Sequence, residues 1–503
     1  MSRDDSGSTD VPRSLRGAVR HLRALGEWVV GPAAECDRPI IRVCQDSRRV
    51  QPGDLYAALP GRRHHGASFA AEAAARGAVA MFSDRPSDSL PGIVVADPRR
   101  ALGPLVSWVY DNPSAAFDLY GVTGTNGKTS TVYLLDAALV SAGRRTGIVT
   151  GVTVRGPRTT YTATRTTPEA CDLQQAFAQF SRERVDAVAM EVSSHGLAER
   201  RVDGSHFEVA VFTNLARDHL DFHPNMEAYY AAKARLFTPE LCDSAAICID
   251  DVYGRRLAAD ATVPHLTFSV RDPSADLHAT SVHADRWGSS FTLHHRGRQM
   301  PVRLRLLGGH QVDNTVAALA ALTVRGVEID AAIAGIESLS AVPGRLESVD
   351  AGQPFLAFVD YVHNTAGQRR LLPYLRSMAT GRLIVVLGAT GERDPGKRRP
   401  LGSTAARFAE VVIVTDESAF SDNAADLRDD VADGARRVSC TDVRVIPDRG
   451  EAIASAVALA RAGDVLLVAG RGHDSELVDN GVATAFDDRT ALRRAIVARP
   501  DCG

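Results

Sequence analysis

Gly121-Val122-Thr123-Gly124-Thr125-Asn126-Gly127-Lys128-Thr129-Ser130 is the stretch on which the fold turns. The apolar run at 119–122 reads as a short strand. Residues 129–141 carry Val132, Leu134, Leu135, Ala138 and Leu139 on a helical pattern. A strand, a glycine-rich turn and a helix in that order aim backbone amides and the positive end of the helix at an anion. Lys128 adds a full charge for β and γ phosphates, and the Thr129 hydroxyl can sit on Mg²⁺. Gly124, Thr125, Asn126, Gly127, Lys128, Thr129 and Ser130 are therefore the candidate phosphate contacts of a bound nucleotide. The strict GxxxxGK pattern is not met, because its first glycine would fall on Val122.

Working outward, buried-type strands at 185–192, 209–214 and 245–249 alternate with helical stretches. That alternation implies a doubly wound parallel sheet. Helical segments at 312–321 and 327–339 close this unit, and Pro343-Gly344 breaks the pattern. Beyond it, strands at 355–360, 383–387, 411–415 and 465–469 form a second sheet. Before it, short strands at 54–58 and 92–96 flank an alanine-rich helix at 68–76. The expectation is an α/β protein of three domains: 1–112, 113–341 and 342–503. The length of 503 residues fits that number.

Composition narrows the function. A formal net charge of -3 gives no electrostatic reason to bind nucleic acid or an anionic membrane. The longest apolar runs, 383–387 and 465–469, are too short to span a bilayer. Residues 1–12 are polar, with no signal-peptide core, and read as a disordered lead-in. The 7 cysteines form no CxxC pair, which argues against a disulfide framework or a zinc site and suits a reducing cytoplasm. A cytoplasmic monomer is expected.

Two further clusters carry chemistry. Met190-Glu191-Val192-Ser193-Ser194-His195-Gly196 ends a buried strand, where open α/β sheets bind ligands. A buried Glu191 needs a cation, and a hard oxygen ligand suits Mg²⁺. Thr213-Asn214-Leu215-Ala216-Arg217-Asp218-His219-Leu220-Asp221-Phe222-His223 follows the next strand, and Tyr229-Tyr230-Ala231-Ala232-Lys233 comes soon after. Taken singly, these polar residues also read as helix caps and a solvated face.

In this order, the three clusters resemble the core of the Mur ligase family, and further landmarks recur across nearly the whole chain. The resemblance implies an ATP- and Mg²⁺-dependent ligase in which Lys128, Glu191, His219 and Lys233 are catalytic. Glu191 and His219, with Thr129, would hold Mg²⁺. Lys233 matches a position the family carries as a carbamate, N6-carboxylysine, which can serve a second Mg²⁺. The chemistry implied is carboxylate activation: an acyl phosphate forms and an incoming amine displaces phosphate. A nucleotide-binding protein without catalysis is disfavoured, because all four residues are present.

Within the family, residues 46–61 look like the UDP-sugar-binding domain of the tripeptide synthetase branch, although alone they read as a polar turn. That branch joins an amino acid to UDP-N-acetylmuramoyl-L-alanyl-D-glutamate in peptidoglycan precursor synthesis. The resemblance places Ser47, Arg62, Arg63 and His64 on the UDP part. It places Thr166, Thr167, Ser193, Glu199 and Arg201 on the rest of that substrate. Glu199 departs from the family's Gln, and a carboxylate there is unfavourable unless Arg200 or Arg201 pairs with it. Asn314, Arg345 and Asp360 would face ATP. In the amino-acid pocket Arg393, Glu417, Phe420, Gly470 and Asp474 are the candidates. The diaminopimelate-adding enzymes carry Asp-Asn-Pro-Arg where this chain has Glu417-Ser418-Ala419-Phe420, which removes a bidentate partner for a carboxylate. Two readings stay open: the cell-wall tripeptide synthetase, or a related amide ligase of a specialised pathway acting on another carboxylate.

Overall fold

A computed structural model describes residues 13–31, 37–61, 64–438 and 441–499. The lead-in expected at 1–12, and Arg62 and Arg63, lie outside the described residues. The fold is α/β, and the described residues form three large sheets and two two-stranded ones. The N-terminal sheet has five strands in the order Val29–Val30, Gly92–Val95, Ala80–Ser83, Asp54–Ala57, Arg42–Cys44.

The central sheet has eleven strands. Its heart runs Thr146–Val149, Ala187–Glu191, Asp118–Thr123, Phe207–Phe212, Cys242–Cys248, His265–Ser269, all parallel. These strands are buried on both faces, which is why their sequences are apolar without alternation. Helices Lys128–Ser141, His310–Val324 and Ile329–Ser338 pack on one face of this sheet. Ala170–Arg182 and Met226–Ala234 pack on the other.

The sheet is not purely parallel, as the sequence led us to expect. Thr153–Arg155 and Thr160–Thr162 pair antiparallel on one edge. On the other edge Leu277–Asp285 leads into antiparallel strands Gly288–His295 and Arg298–Leu304. Arg298–Leu304 alternates exposed and buried positions, the mark of a one-sided strand.

Chain order reverses around Asp118–Thr123, which lies between Ala187–Glu191 and Phe207–Phe212. Ligands of open α/β sheets bind at such a switch point, outside the carboxyl ends of the strands. The third sheet runs Glu347–Ser348, Leu356–Asp360, Val465–Ala469, Leu383–Leu387, Val411–Val414, Asp442–Val445, parallel except for the first strand. Its carboxyl ends face the switch point of the central sheet, and a cavity lies between them.

Candidate active site

The phosphate loop is held open by its neighbours. Asn214 fixes it three times: its carbonyl accepts from the Thr125 amide at 2.9 Å, its Oδ1 accepts from the Asn126 amide at 3.0 Å, and its Nδ2 donates to the Asn126 carbonyl at 3.0 Å. The Thr213 hydroxyl donates to the Asn126 carbonyl at 2.7 Å. Gly127 has φ +92°, and a Cβ there would come within 2.3 Å of Asn314 Oδ1. Only glycine lets the turn pass that close. Lys128 opens the helix, and its Nζ donates to the Gly124 and Thr125 carbonyls at 2.9 and 3.0 Å. Burial lowers the Lys128 pKa, while Glu191 and Asp218 oppose that shift.

Thr129 and Glu191 meet at the loop's far side. The Thr129 hydroxyl donates to Glu191 Oε1 at 2.9 Å, and the Gly151 amide donates to the same oxygen at 3.0 Å. Glu191 is 2% exposed and has no ion pair among the described residues. Lys233 is also buried and also lacks a carboxylate partner among the described residues. Its Nζ donates to the Gly124 carbonyl at 2.8 Å and lies 4.9 Å above the Tyr229 ring. Burial, with Lys128 nearby, holds the Lys233 pKa well below the usual lysine value. His219 sits edge-on to His195 at 4.9 Å, and burial drops its pKa well down. Among the described residues no three His, Cys, Asp or Glu side chains converge as a ligand set.

Thr125, Asn126, Gly127, Lys128, Thr129, Ser130, Glu191 and His219 line one cavity of 980 Å³ with Thr166, Thr167, Ser193, Glu199, Arg201, Asn314, Arg345, Asp360, Arg393, Glu417, Phe420, Gly470 and Asp474. Ser47, His64, Gly124 and Lys233 are not on its walls; the last two are bonded to each other behind the loop. Ser47 is buried and donates to Glu72 at 2.7 Å, and His64 is exposed against Phe69. Glu199 has the arginine partner that a carboxylate there requires. Arg201 bonds its carboxylate, and although burial works to raise the Glu199 pKa, Arg201 outweighs it and the shift is downward. Arg201 also donates to the Thr167 carbonyl at 3.1 Å, tying the segments around Thr167 and Glu199 together.

From the C-terminal domain, Arg345 stacks on Tyr361 at 4.4 Å and donates to the Thr129 hydroxyl at 2.8 Å. Asp360 lines the cavity, yet its oxygens accept from the Leu346 and Val362 amides at 2.6 and 2.7 Å and so shape the turn. Asn314 is buried and donates to Gln311 at 3.0 Å. At the amino-acid end, Glu417 accepts from the Thr390 hydroxyl. Phe420 takes the left-handed conformation, φ +53°, held by hydrogen bonds to Val478 and Asn480. Burial, helped by Glu417 and only partly offset by Arg471, raises the Asp474 pKa to about 6.

Sequence reasoning named none of Asp218, His363, Asn364 or Lys397 as an individual site residue. All four meet at the domain junction: Asp218, 2% exposed, is 3.2 Å from His363 Nε2, 3.2 Å from Asn364 Nδ2 and 3.5 Å from Lys397 Nζ. Asn364 also bonds Asn126 of the phosphate loop at 3.0 Å. Their motifs were visible in the sequence. That Asp218 meets residues 145 or more positions away was not.

The whole chain is similar to known ligases. The Mur ligase middle domain matches residues 122–322, the Mur ligase glutamate ligase domain 344–472, and the Mur ligase family catalytic domain 40–107. The UDP-N-acetylmuramoyl-L-alanyl-D-glutamate--2,6-diaminopimelate ligase of Streptomyces coelicolor is 42% identical over 96% of this chain and 98% of its own. That of Corynebacterium glutamicum is 41% identical over 92% and 93%. A solved structure of a ligase with the same name aligns with a TM-score of 0.67 at 29% identity, covering 97% of this chain and 99% of its own. The MurF ligase of Thermotoga maritima in complex with ADP shares the fold, with a TM-score of 0.65 at 20% identity, over 90% and 96%. Phosphate loop, facing domains and full-length similarity together show that the chain belongs to the Mur ligase family, ATP-dependent ligases that add an amino acid to a peptide.

Proposed function

We propose that this enzyme joins an amino acid to the D-glutamyl end of UDP-N-acetylmuramoyl-L-alanyl-D-glutamate through an acyl phosphate. The observation that carries the reading is the single cavity in which Lys128 and Glu191 face Arg393, Glu417 and Asp474 across the domain junction. One end suits a triphosphate, the other a free amino acid. The Glu199–Arg201 and Thr167 segment between them suits the acceptor peptide.

The reaction uses these residues as clamps. Lys128 and the loop amides take charge from the β and γ phosphates, and Arg345 reaches the same region through Thr129. The acceptor carboxylate oxygen attacks the γ-phosphorus, and ADP leaves. The incoming amine then attacks the acyl carbon, the C–O bond to phosphate breaks, and inorganic phosphate leaves with that oxygen and takes up the proton the amine nitrogen gives up. Holding three reactants in one cavity supplies most of the advantage, since charge neutralisation and alignment do what little covalent help cannot.

The residues fit magnesium. Glu191 is a buried carboxylate without a cationic partner among the described residues, beside a hydroxyl at 2.9 Å, and both are hard oxygen donors. Bound there, the ion would supply charge neutralisation at the terminal phosphates. Lys233 fits a carbamate: its buried amine is held toward the uncharged form, the form that reacts with CO₂. His219 lies beside it in our proposal as a further ligand.

A second reading concerns the amino acid. Phe420 offers no donor to a distal carboxylate, while Glu417 and Asp474 place two acids in the pocket. This favours an amino acid other than diaminopimelate, and leaves room for a specialised pathway with a different acceptor. Assays of ADP release with the UDP-dipeptide and each candidate amino acid test both points. ADP release that needs the UDP-dipeptide and one amino acid is expected. No stimulation by the UDP-dipeptide would exclude it as acceptor, and efficient diaminopimelate addition unaffected by changing Phe420 would exclude the altered pocket.

A further inference from the structure

The junction between the two ATP-facing domains is charged in a mirrored way. Residues 217–221 contribute Arg217, Asp218 and Asp221, and residues 393–397 contribute Arg393, Asp394 and Lys397. Each charge meets its opposite across the junction. Arg217 lies 3.2 Å from Asp394, Lys397 lies 3.5 Å from Asp218, and Arg393 lies 3.9 Å from Asp221. The Asp394 amide also donates to Asp221 at 3.3 Å.

Burial grades the three pairs. Lys397–Asp218 is innermost, with side chains 9% and 2% exposed, so its loss would strand a buried charge. Arg217–Asp394 bridges solvent and interior, at 58% and 8%. Arg393–Asp221 is the longest, and Arg393 is 46% exposed while lining the cavity. Its guanidinium therefore keeps donors for a second carboxylate. Gly396 completes the fit: a Cβ there would come 2.3 Å from the Arg217 guanidinium, so a side chain would push it off Asp394.

We propose that these segments form a reciprocal charge clasp, with Arg217, Asp218 and Asp221 as positioning residues. The clasp sets the closed position of the C-terminal domain over the phosphate loop and points Arg393 at the incoming amino acid's carboxylate. The second half rests on the reading of the cavity given above. Opposed signs on both sides enforce one register, because a slip along either segment brings like charges together.

Charge reversal tests it. Arg217→Asp and Asp394→Arg are each expected to raise the amino-acid KM about tenfold or more while leaving the ATP KM within about threefold, and the double variant should recover most of the loss. A folded double variant no better than the worse single one overturns the clasp. Asp394 also caps the turn at Gly396, so Asp394→Arg carries a folding risk. Arg217→Ala, altering a largely exposed side chain, decides in that case: wild-type constants for amino acid and ATP overturn the proposal. An enzyme silent with every amino acid would fault the functional reading instead. The clasp is then read from the distance between fluorophores on the two domains with ATP bound. Arg217→Asp should widen that distance and the double variant restore it, and an unchanged distance overturns it.

Discussion

The two ends of the cavity are built differently. The phosphate end is one continuous segment whose carbonyls, amides and Lys128 are fixed within the middle domain by Thr213 and Asn214. The amino-acid end is gathered from separate stretches around Thr390, Glu417 and Asp474, and behind it stands a buried ion pair. Arg449 and Asp488 are fully buried and bonded twice at 2.7 Å. Arg449 also reaches the Ala469 and Asp416 carbonyls, just before Gly470 and Glu417. Gripping a phosphate is a local task that a short motif can do. Choosing an amino acid needs walls from distant segments, each supported from behind.

This contrast can be broken or sharpened by mutation. The largest effect is expected at the local end: Lys128→Ala should cut kcat by about 10³-fold or more, because no other charge on the loop replaces it. Turnover within tenfold of wild type would break the contrast. At the assembled end, Asp488→Asn leaves Arg449 buried without its charge partner. It should destabilise the protein by about 3–5 kcal/mol, measured by denaturant unfolding. A loss under 1 kcal/mol would mean the pocket walls do not lean on this pair.

Phe420→Arg restores a bidentate donor in the pocket. It should shift selectivity toward diaminopimelate by about 10–100-fold in kcat/KM. No shift would place selectivity elsewhere. The smallest effect is in pH. The Asp474 carboxyl, raised to about 6, is charged above that pH and neutral below it. If its charged form holds the substrate's amine, kcat/KM for the amino acid falls about tenfold per unit below pH 6. Asp474→Asn should remove that inflection, and an unchanged profile would release Asp474 from the role.

The same division explains what was legible in sequence. The loop at 124–130 and the strands that carry it could be read directly, because a buried parallel strand is a short apolar run and the phosphate motif is contiguous. The antiparallel strands after residue 277 went unread, since their alternating pattern is weak in each strand and they lie outside the motifs. The Glu199–Arg201 pair was stated as a condition and is present, because the partners are two residues apart. Asp218 was not legible as a hub. Its contacts with His363, Asn364 and Lys397 exist only where two separate sheets approach, and no local pattern encodes that.

The most direct measurement follows an oxygen atom. With ¹⁸O in the acceptor's free carboxylates, ATP and the accepted amino acid, the reaction proposed here transfers one labelled oxygen into each inorganic phosphate released. Phosphate detected by mass spectrometry without label, formed in step with product, would contradict the acyl phosphate and the account built on it.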